Sequence, residues 1–400
     1  MSSKAQLFDT WIRGAFVAMN SELEHMYFAQ SDRVNVDGVG ESIKGRLRDE
    51  GHAHVLELWR EGNTGDGFEI AFGVLGNVGM YLAALRRHEL TNPAREQKSP
   101  FVEASSLAMH VGASIGMAPR FATAHLSTHN FAIHGVRKSF TDLPDEALFI
   151  DENTRGILSF QRAADALRRI VTLGVTNPVA DVQFAAAAAA LAEAIAINTR
   201  LFSQLDVDRF FYCVRPYYKP YRVGRQEYRG ANAGDFAGIN EIDLLLGLCQ
   251  ASDPYYAQLL VDKMQFMVPG DQERLRECMR HRSLLDELLS LLARHAAADW
   301  FRHNAAAYLR VCDLFAETAR QHHDQLVSRF IEQPATALEQ RHLQSLTASG
   351  PPLEVLLRSL ETLRDYRTAA VRSDLATRAG DLSRLRAALE SRTGENGRST

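Results

Sequence analysis

Apolar residues recur at steps of three and four along most of the chain, the spacing that places them on one face of an α-helix. The pattern predicts helices over Leu7–Phe28, Phe68–Leu85, Leu148–Val171, Val182–Leu205, Ile239–Cys249, Tyr255–Met267, Leu284–His295, Ala305–Ile331 and Leu353–Leu363. Strand-type alternation is nearly absent, so the expected fold class is all-α. Gly, Pro and polar residues cluster in Ser31–Gly40, Glu61–Gly67, Thr91–Pro100, Pro216–Gly234 and Gln333–Pro352, which are expected to be connections. The densest apolar run, Phe184 to Ile197, is mostly alanine, carries Glu193, and is too short to span a bilayer. Alanine at that density lets a neighbouring helix or a flat ligand approach closely.

At 400 residues the chain exceeds a usual single core. The expected organisation is a smaller N-terminal helical part (1–100), a large helical domain (101–389) and a polar, disordered tail (390–400). The net charge of -4 with 24% charged residues argues against a nucleic-acid groove or an anionic membrane surface. Partners are expected to be small molecules, with no nucleic acid and no membrane. Cys213, Cys249, Cys278 and Cys312 stand singly with no CxxC pair, and the N-terminus leads into an amphipathic helix without a signal-type apolar core, so a reducing cytoplasm is expected.

Three constellations carry candidate chemistry. His322 and His323 lie where an apolar stripe of Cys312, Phe315, Ala319, Leu326 and Phe330 passes a buried position; periodicity does not choose between them. A histidine on the inner face of a helix, followed by the sharp turn Ser349-Gly350-Pro351-Pro352, is a way to hold a planar iron cofactor under a polar lid. Between Asp208 and Tyr221, six aromatics surround Arg215, whose guanidinium can fork onto a carboxylate while a ring stacks an aromatic substrate. Gln226 to Asp235 then supplies small residues where backbone can come close to a ligand. His125 and His129 have a zinc-pair spacing but lack the zincin Glu, and Glu22-Leu23-Glu24-His25 is a single Glu-x-x-His where a di-iron bundle needs two. Phosphate loops and serine-esterase elbows find no match.

Together these segments resemble the haem-dependent indoleamine and tryptophan dioxygenase superfamily, most closely its monodechloroaminopyrrolnitrin synthase branch, from about Phe68 to Arg367. The carrying motifs are Phe210-Phe211-Tyr212-Cys213-Val214-Arg215, Val214-Arg215-Pro216-Tyr217-Tyr218-Lys219-Pro220, Arg222-Val223-Gly224, Gly230-Ala231-Asn232-Ala233-Gly234, Asp243-Leu244-Leu245-Leu246-Gly247 and His323-Asp324-Gln325-Leu326-Val327. Met117-Ala118-Pro119-Arg120 and Leu143-Pro144-Asp145-Glu146-Ala147 resemble the family as well.

The resemblance implies a large multi-helix haem-binding domain of indoleamine dioxygenase type. It selects His323 as the axial iron ligand. Arg215 would hold the substrate carboxylate and Phe210 the ring, while Leu126 and Ser127 line the pocket. Gly230, Ala231 and Asn232 would lie over the haem, Ser349 at the amino-acid end, and Gln161 on the oxygen side. The cofactor implied is haem b, non-covalent because Asp324 to Val327 contains no Cys. The activity implied is oxidation of L-tryptophan or a substituted tryptophan with dioxygen or peroxide, with an electron donor as a further partner. The alternatives are a haem-dependent tyrosine-type hydroxylase and a non-catalytic haem- or ligand-binding helical protein. Nothing in the sequence determines the oligomeric state.

Overall fold

The computed structural model describes residues 2–62, 67–232, 234–333 and 353–390. Ser2 opens the chain's first helix by accepting the Ala5 N–H on its hydroxyl, and α1 (Ser3–Arg13) and α2 (Ala15–Phe28) follow. The sequence pattern predicts one helix over these residues; Gly14, with φ -124 and ψ -94, breaks it in two. α3 (Glu41–Glu61), α4 (Phe68–Arg87) and α5 (Val102–Ile115) complete the first helical group, and α3 and α5 pack on each other and on α4.

α3 and α5 were not expected. α3 buries Lys44, Leu47, Gly51, Val55 and Leu58 at helical spacing, but a lysine and a glycine occupy two of the five positions and hide the apolar stripe. Gly51 is required there: a Cβ would stand 2.3 Å from the Tyr81 ring.

α6 (Pro144–Leu173) begins with Pro144 in its first turn, where the missing N–H costs nothing. It runs antiparallel against α7 (Val179–Gln204), a helix long and apolar enough to cross a membrane by length and composition, as α4 also is. α7 instead buries Phe184, Ala187, Leu191 and Ala194 against α6 and α13, and α4 is buried along nearly its whole length. After the short α8 (Val207–Arg209), capped by Asp206, the chain enters a π-helical turn over Phe210–Val214 and a 3-10 turn over Arg215–Tyr218.

A two-stranded antiparallel hairpin, β1 (Tyr221–Val223) and β2 (Gln226–Tyr228), lies within the stretch expected to be a connection. Then come α9 (Ala237–Leu246), α10 (Pro254–Met264), α11 (Pro269–Cys278), α12 (Leu284–His295) and α13 (Asp299–Gln321). The long helix expected from Ala305 turns π-helical at His322 and stays so to Glu332. α14 (Leu353–Arg367) packs on α13, and α15 (Ala379–Glu390) packs on α12 and α13.

The apolar interior falls into two large clusters. One joins α1, α4 and α5 to Phe140, Phe210, Tyr217 and Tyr221; the other joins α6, α7, α9 and the helices from α10 onward. Phe330, at the end of the second π segment, packs into the first cluster, so the segment that starts at His322 bridges the two.

Candidate active site

Both stretches singled out for cofactor and substrate are π-helical. The wider turn releases backbone from the i to i−4 ladder and re-aims side chains, a distortion concentrated at functional sites. The two stretches meet: the Phe210 ring lies 5.9 Å from Phe330, edge to face, and 5.0 Å from Phe149 of α6. Phe210 is therefore an apolar wall built from three separate elements.

Arg215 is buried, its guanidinium 5.5 Å from the Phe211 ring centroid, and burial presses its pKa down to about 10. The segment that carries it is tied down from behind. Glu24 of α2 and Arg87 of α4 form a fork of two hydrogen bonds, each 2.7 Å, and Arg87 Nη2 donates at 3.0 Å to the Tyr212 carbonyl. Next to that pair, His88 lies between the Tyr27 hydroxyl, 3.0 Å from Nδ1, and the Asn20 side-chain oxygen, 2.8 Å from Nε2. Burial, then Arg87 and Lys44, depress the His88 pKa, so the imidazole is neutral. Sequence periodicity did not mark this network, because its five members, Asn20, Glu24, Tyr27, Arg87 and His88, are polar side chains set singly or in a pair on otherwise apolar helix faces.

The small-residue loop is held by charge. Arg229 forks onto Asp235 with two 2.9 Å bonds and reaches Asp262 at 2.6 Å, while its guanidinium lies 4.0 Å from the Phe266 centroid. Gly230 accepts from Arg229, the Asn232 N–H donates to Asp235, and Ala231 is buried. The Thr123 hydroxyl donates to the Asn232 carbonyl, and Ser127 donates back to the Thr123 carbonyl at 2.8 Å. Leu126 and Ser127 are thus brought to the same loop as Gly230, Ala231 and Asn232. Thr123 makes that link, and Arg120, fully buried between Phe121 and Tyr221, adds a hydrogen bond to the Arg229 carbonyl. Gln161 sits on α6 where α9 crosses it: a Cβ at Gly238 would lie 3.1 Å from the Gln161 backbone nitrogen.

His125 has a different task. Its Nδ1 accepts from the Ala122 N–H at 2.8 Å, its Nε2 donates to the Phe72 carbonyl at 2.9 Å, and the ring stacks on Phe72 at 3.8 Å. Both nitrogens are spent on backbone, and burial drives the pKa to about 3. It is a packed core histidine.

His322 and His323 now separate by environment. His323 Nδ1 is 3.0 Å from Asp324 Oδ1 and 3.3 Å from Arg364 Nη1. With its proton on Nδ1 the ring would donate to the carboxylate, the nearer of the two groups, and carry its lone pair on Nε2. No hydrogen bond among the described residues engages Nε2. A carboxylate on one nitrogen and an uncommitted lone pair on the other is the arrangement of a metal-ligating imidazole.

His322 is open to solvent, yet the surrounding protein desolvates it, and Arg367, His323 and Lys263 add positive charge, taking its pKa down to about 4. Arg367 is neutralised by Asp243, with bonds of 2.9 and 2.8 Å, and Asp243 also accepts from Tyr256 at 2.8 Å.

Ser349, expected at the amino-acid end of the substrate, lies outside the described residues, as do the turn that follows it and the tail from 391. The family model described as monodechloroaminopyrrolnitrin synthase PrnB matches residues 2–389, nearly the whole length of this helical chain, and the chain belongs to that family.

Proposed function

We propose that this chain is a haem b-dependent oxidoreductase that acts on L-tryptophan or a substituted tryptophan with dioxygen or peroxide, oxidising, cleaving or rearranging the ring. The family supports a small tryptophan-derived substrate and an oxidative enzyme. The observation that carries the cofactor is His323, with Nδ1 3.0 Å from Asp324 and Nε2 in no hydrogen bond among the described residues, on a segment that bridges both cores. The residues present fit haem: the His323 imidazole would hold the iron, and Arg364, 3.3 Å from its Nδ1, is a basic side chain beside it. Bound there, haem would supply the ring-oxidising chemistry that protein side chains lack.

The rest falls to the chain. Arg215, desolvated and always charged, forks onto the substrate carboxylate and fixes the direction in which the side chain enters. Phe210, braced by Phe149 and Phe330, sets the plane of the aromatic ring. Leu126 and Ser127 close the side of the pocket, with Ser127 turned to the Thr123 carbonyl. The Arg229–Asp235 fork keeps Gly230, Ala231 and Asn232 in place, so backbone rather than water covers the ligand. Gln161 offers an amide on the oxidant side, and Ser349 a hydroxyl for the substrate amino group. The cytoplasm is the compartment proposed, from the four unpaired cysteines.

Full-length protein reconstituted with haemin tests this. His323→Ala should lose the stoichiometric Soret band with helicity retained, and His322→Ala should keep it. A normal Soret band in both variants sinks the ligand assignment. A Soret band without oxidative consumption of any tryptophan tested would make the chain a haem carrier.

A further inference from the structure

Two carbonyls of the small-residue loop are gripped from one short segment at matched spacing. The Arg120 guanidinium donates to the Arg229 carbonyl, and the Thr123 hydroxyl donates to the Asn232 carbonyl. Donors three residues apart thus meet acceptors three residues apart, so the loop is held at two points and cannot pivot about one. The Asn232 carbonyl also accepts the Asp235 N–H at 3.0 Å, and the Arg229–Asp235 fork closes the loop on itself.

The gripping segment is itself seated on the core. A Cβ at Gly79 of α4 would stand 2.2 Å from the Phe121 backbone nitrogen, and one at Gly76 would stand 2.4 Å from the His125 ring. The segment therefore lies directly on a buried helix. Beside it, the Phe121 N–H donates to the Tyr221 hydroxyl at 3.2 Å, and Arg120 lies between the Phe121 and Tyr221 rings. Ser127 donates to the Thr123 carbonyl at 2.8 Å. Thr123 is thus bonded through its hydroxyl to the loop and through its carbonyl to the residue expected in the pocket wall.

We propose that Thr123 is a positioning residue for the oxidation of the tryptophan-type substrate, one point of a two-point clamp that sets loop 229–232 in place before the ligand arrives. The inference rests on the function proposed above, in which that loop covers the ligand. A loop rich in Gly and Ala has much conformational freedom to lose, and bonds that fix it in advance spare the substrate that ordering. Loss of the clamp therefore falls on substrate binding rather than on the bond between His323 and the cofactor.

Thr123→Val keeps the shape and removes the hydroxyl, whereas Thr123→Ser keeps the hydroxyl. In full-length apo-protein, hydrogen exchange over residues 226–236, read by mass spectrometry, should be faster in Thr123→Val and unchanged in Thr123→Ser. In haem-loaded protein, Thr123→Val should raise KM for L-tryptophan about 3- to 10-fold, the worth of one neutral hydrogen bond, with kcat and the Soret titration within about twofold of wild type. Thr123→Ser should restore the wild-type KM.

Unchanged exchange in Thr123→Val shows that the loop is held without the hydroxyl and overturns the proposal. So does a melting temperature and a haem affinity that fall together with the rise in KM, the mark of a residue that serves the fold alone, and so does a KM that stays raised in Thr123→Ser. Wild type that consumes no tryptophan fails the function proposed above; wild type that consumes it while Thr123→Val keeps the same KM fails this positioning role alone.

Discussion

Glu24→Gln should be among the most damaging single substitutions outside the cofactor ligand. Glu24 and Arg87 have side chains 0% and 4% exposed, joined by two 2.7 Å bonds, and Arg87 also holds the Tyr212 carbonyl at 3.0 Å. The glutamine keeps the shape and removes the charge, leaving a buried guanidinium uncompensated. Breaking one side of a fully buried pair costs about 3–5 kcal/mol. Removing both partners in Glu24→Gln/Arg87→Met should cost less than the two single changes added together, by about 1–3 kcal/mol, because no orphaned charge remains. Urea unfolding of the four proteins, followed by far-UV circular dichroism, measures the cycle. A second consequence is local. Tyr212 lies three residues before Arg215 on the π-helical turn, so slackening its carbonyl should weaken tryptophan binding more than haem binding. Glu24→Gln within about 1 kcal/mol of wild type, or additive energies across the cycle, would refute the argument that this pair is a desolvated, coupled anchor.

Arg215→Leu should forfeit about 2–5 kcal/mol of substrate binding by leaving the carboxylate without its fork; the substrate-induced shift of the haem spectrum measures it, and the unperturbed Soret band is the control. Glu146 accepts the Phe140 and Thr141 N–H groups and the Thr141 hydroxyl, yet burial raises its pKa to about 7. The folded state thus holds a proton that the unfolded chain releases near the ordinary glutamate value of about 4.5, so stability from this group is present below that pH and lost as pH rises toward 7. The stability of wild type relative to Glu146→Gln should therefore fall across that window, by up to about 3 kcal/mol, in urea titrations at stepped pH; a flat difference contradicts it. Gly238→Ala puts a methyl 3.1 Å from the Gln161 backbone nitrogen, where no side chain can swing aside. It should cost about 1–3 kcal/mol by prising α9 from α6, read as a lowered melting temperature.

Much of the frame was legible along the chain. The stripe of Cys312, Phe315 and Ala319 does face the interior, and the helices over Leu148–Val171 and Leu284–His295 form within α6 and α12. A helix's buried face is written in the spacing of its own side chains, because each residue's gain on leaving water depends mainly on that residue. The likeness around Phe210 to Arg215 and His323 to Val327 identified the family for the same reason: short segments carry their own chemistry.

What no local pattern held was pairing across distance. Glu24 meets Arg87 over 63 positions and Arg367 meets Asp243 over 124, and neither partner differs in sequence from a charge on a solvated face. The choice between His322 and His323 stayed open by periodicity, since both lie within a turn of the stripe. The resemblance to the family selects His323, and folding adds different surroundings to the two: Arg364 lies 3.3 Å from His323 Nδ1, while Arg367 and Lys263 act on His322. Hydrophobic spacing determined which faces are buried; only the tertiary structure decided which charges from distant elements meet and neutralise one another, because pairing depends on position in space rather than on spacing along the chain.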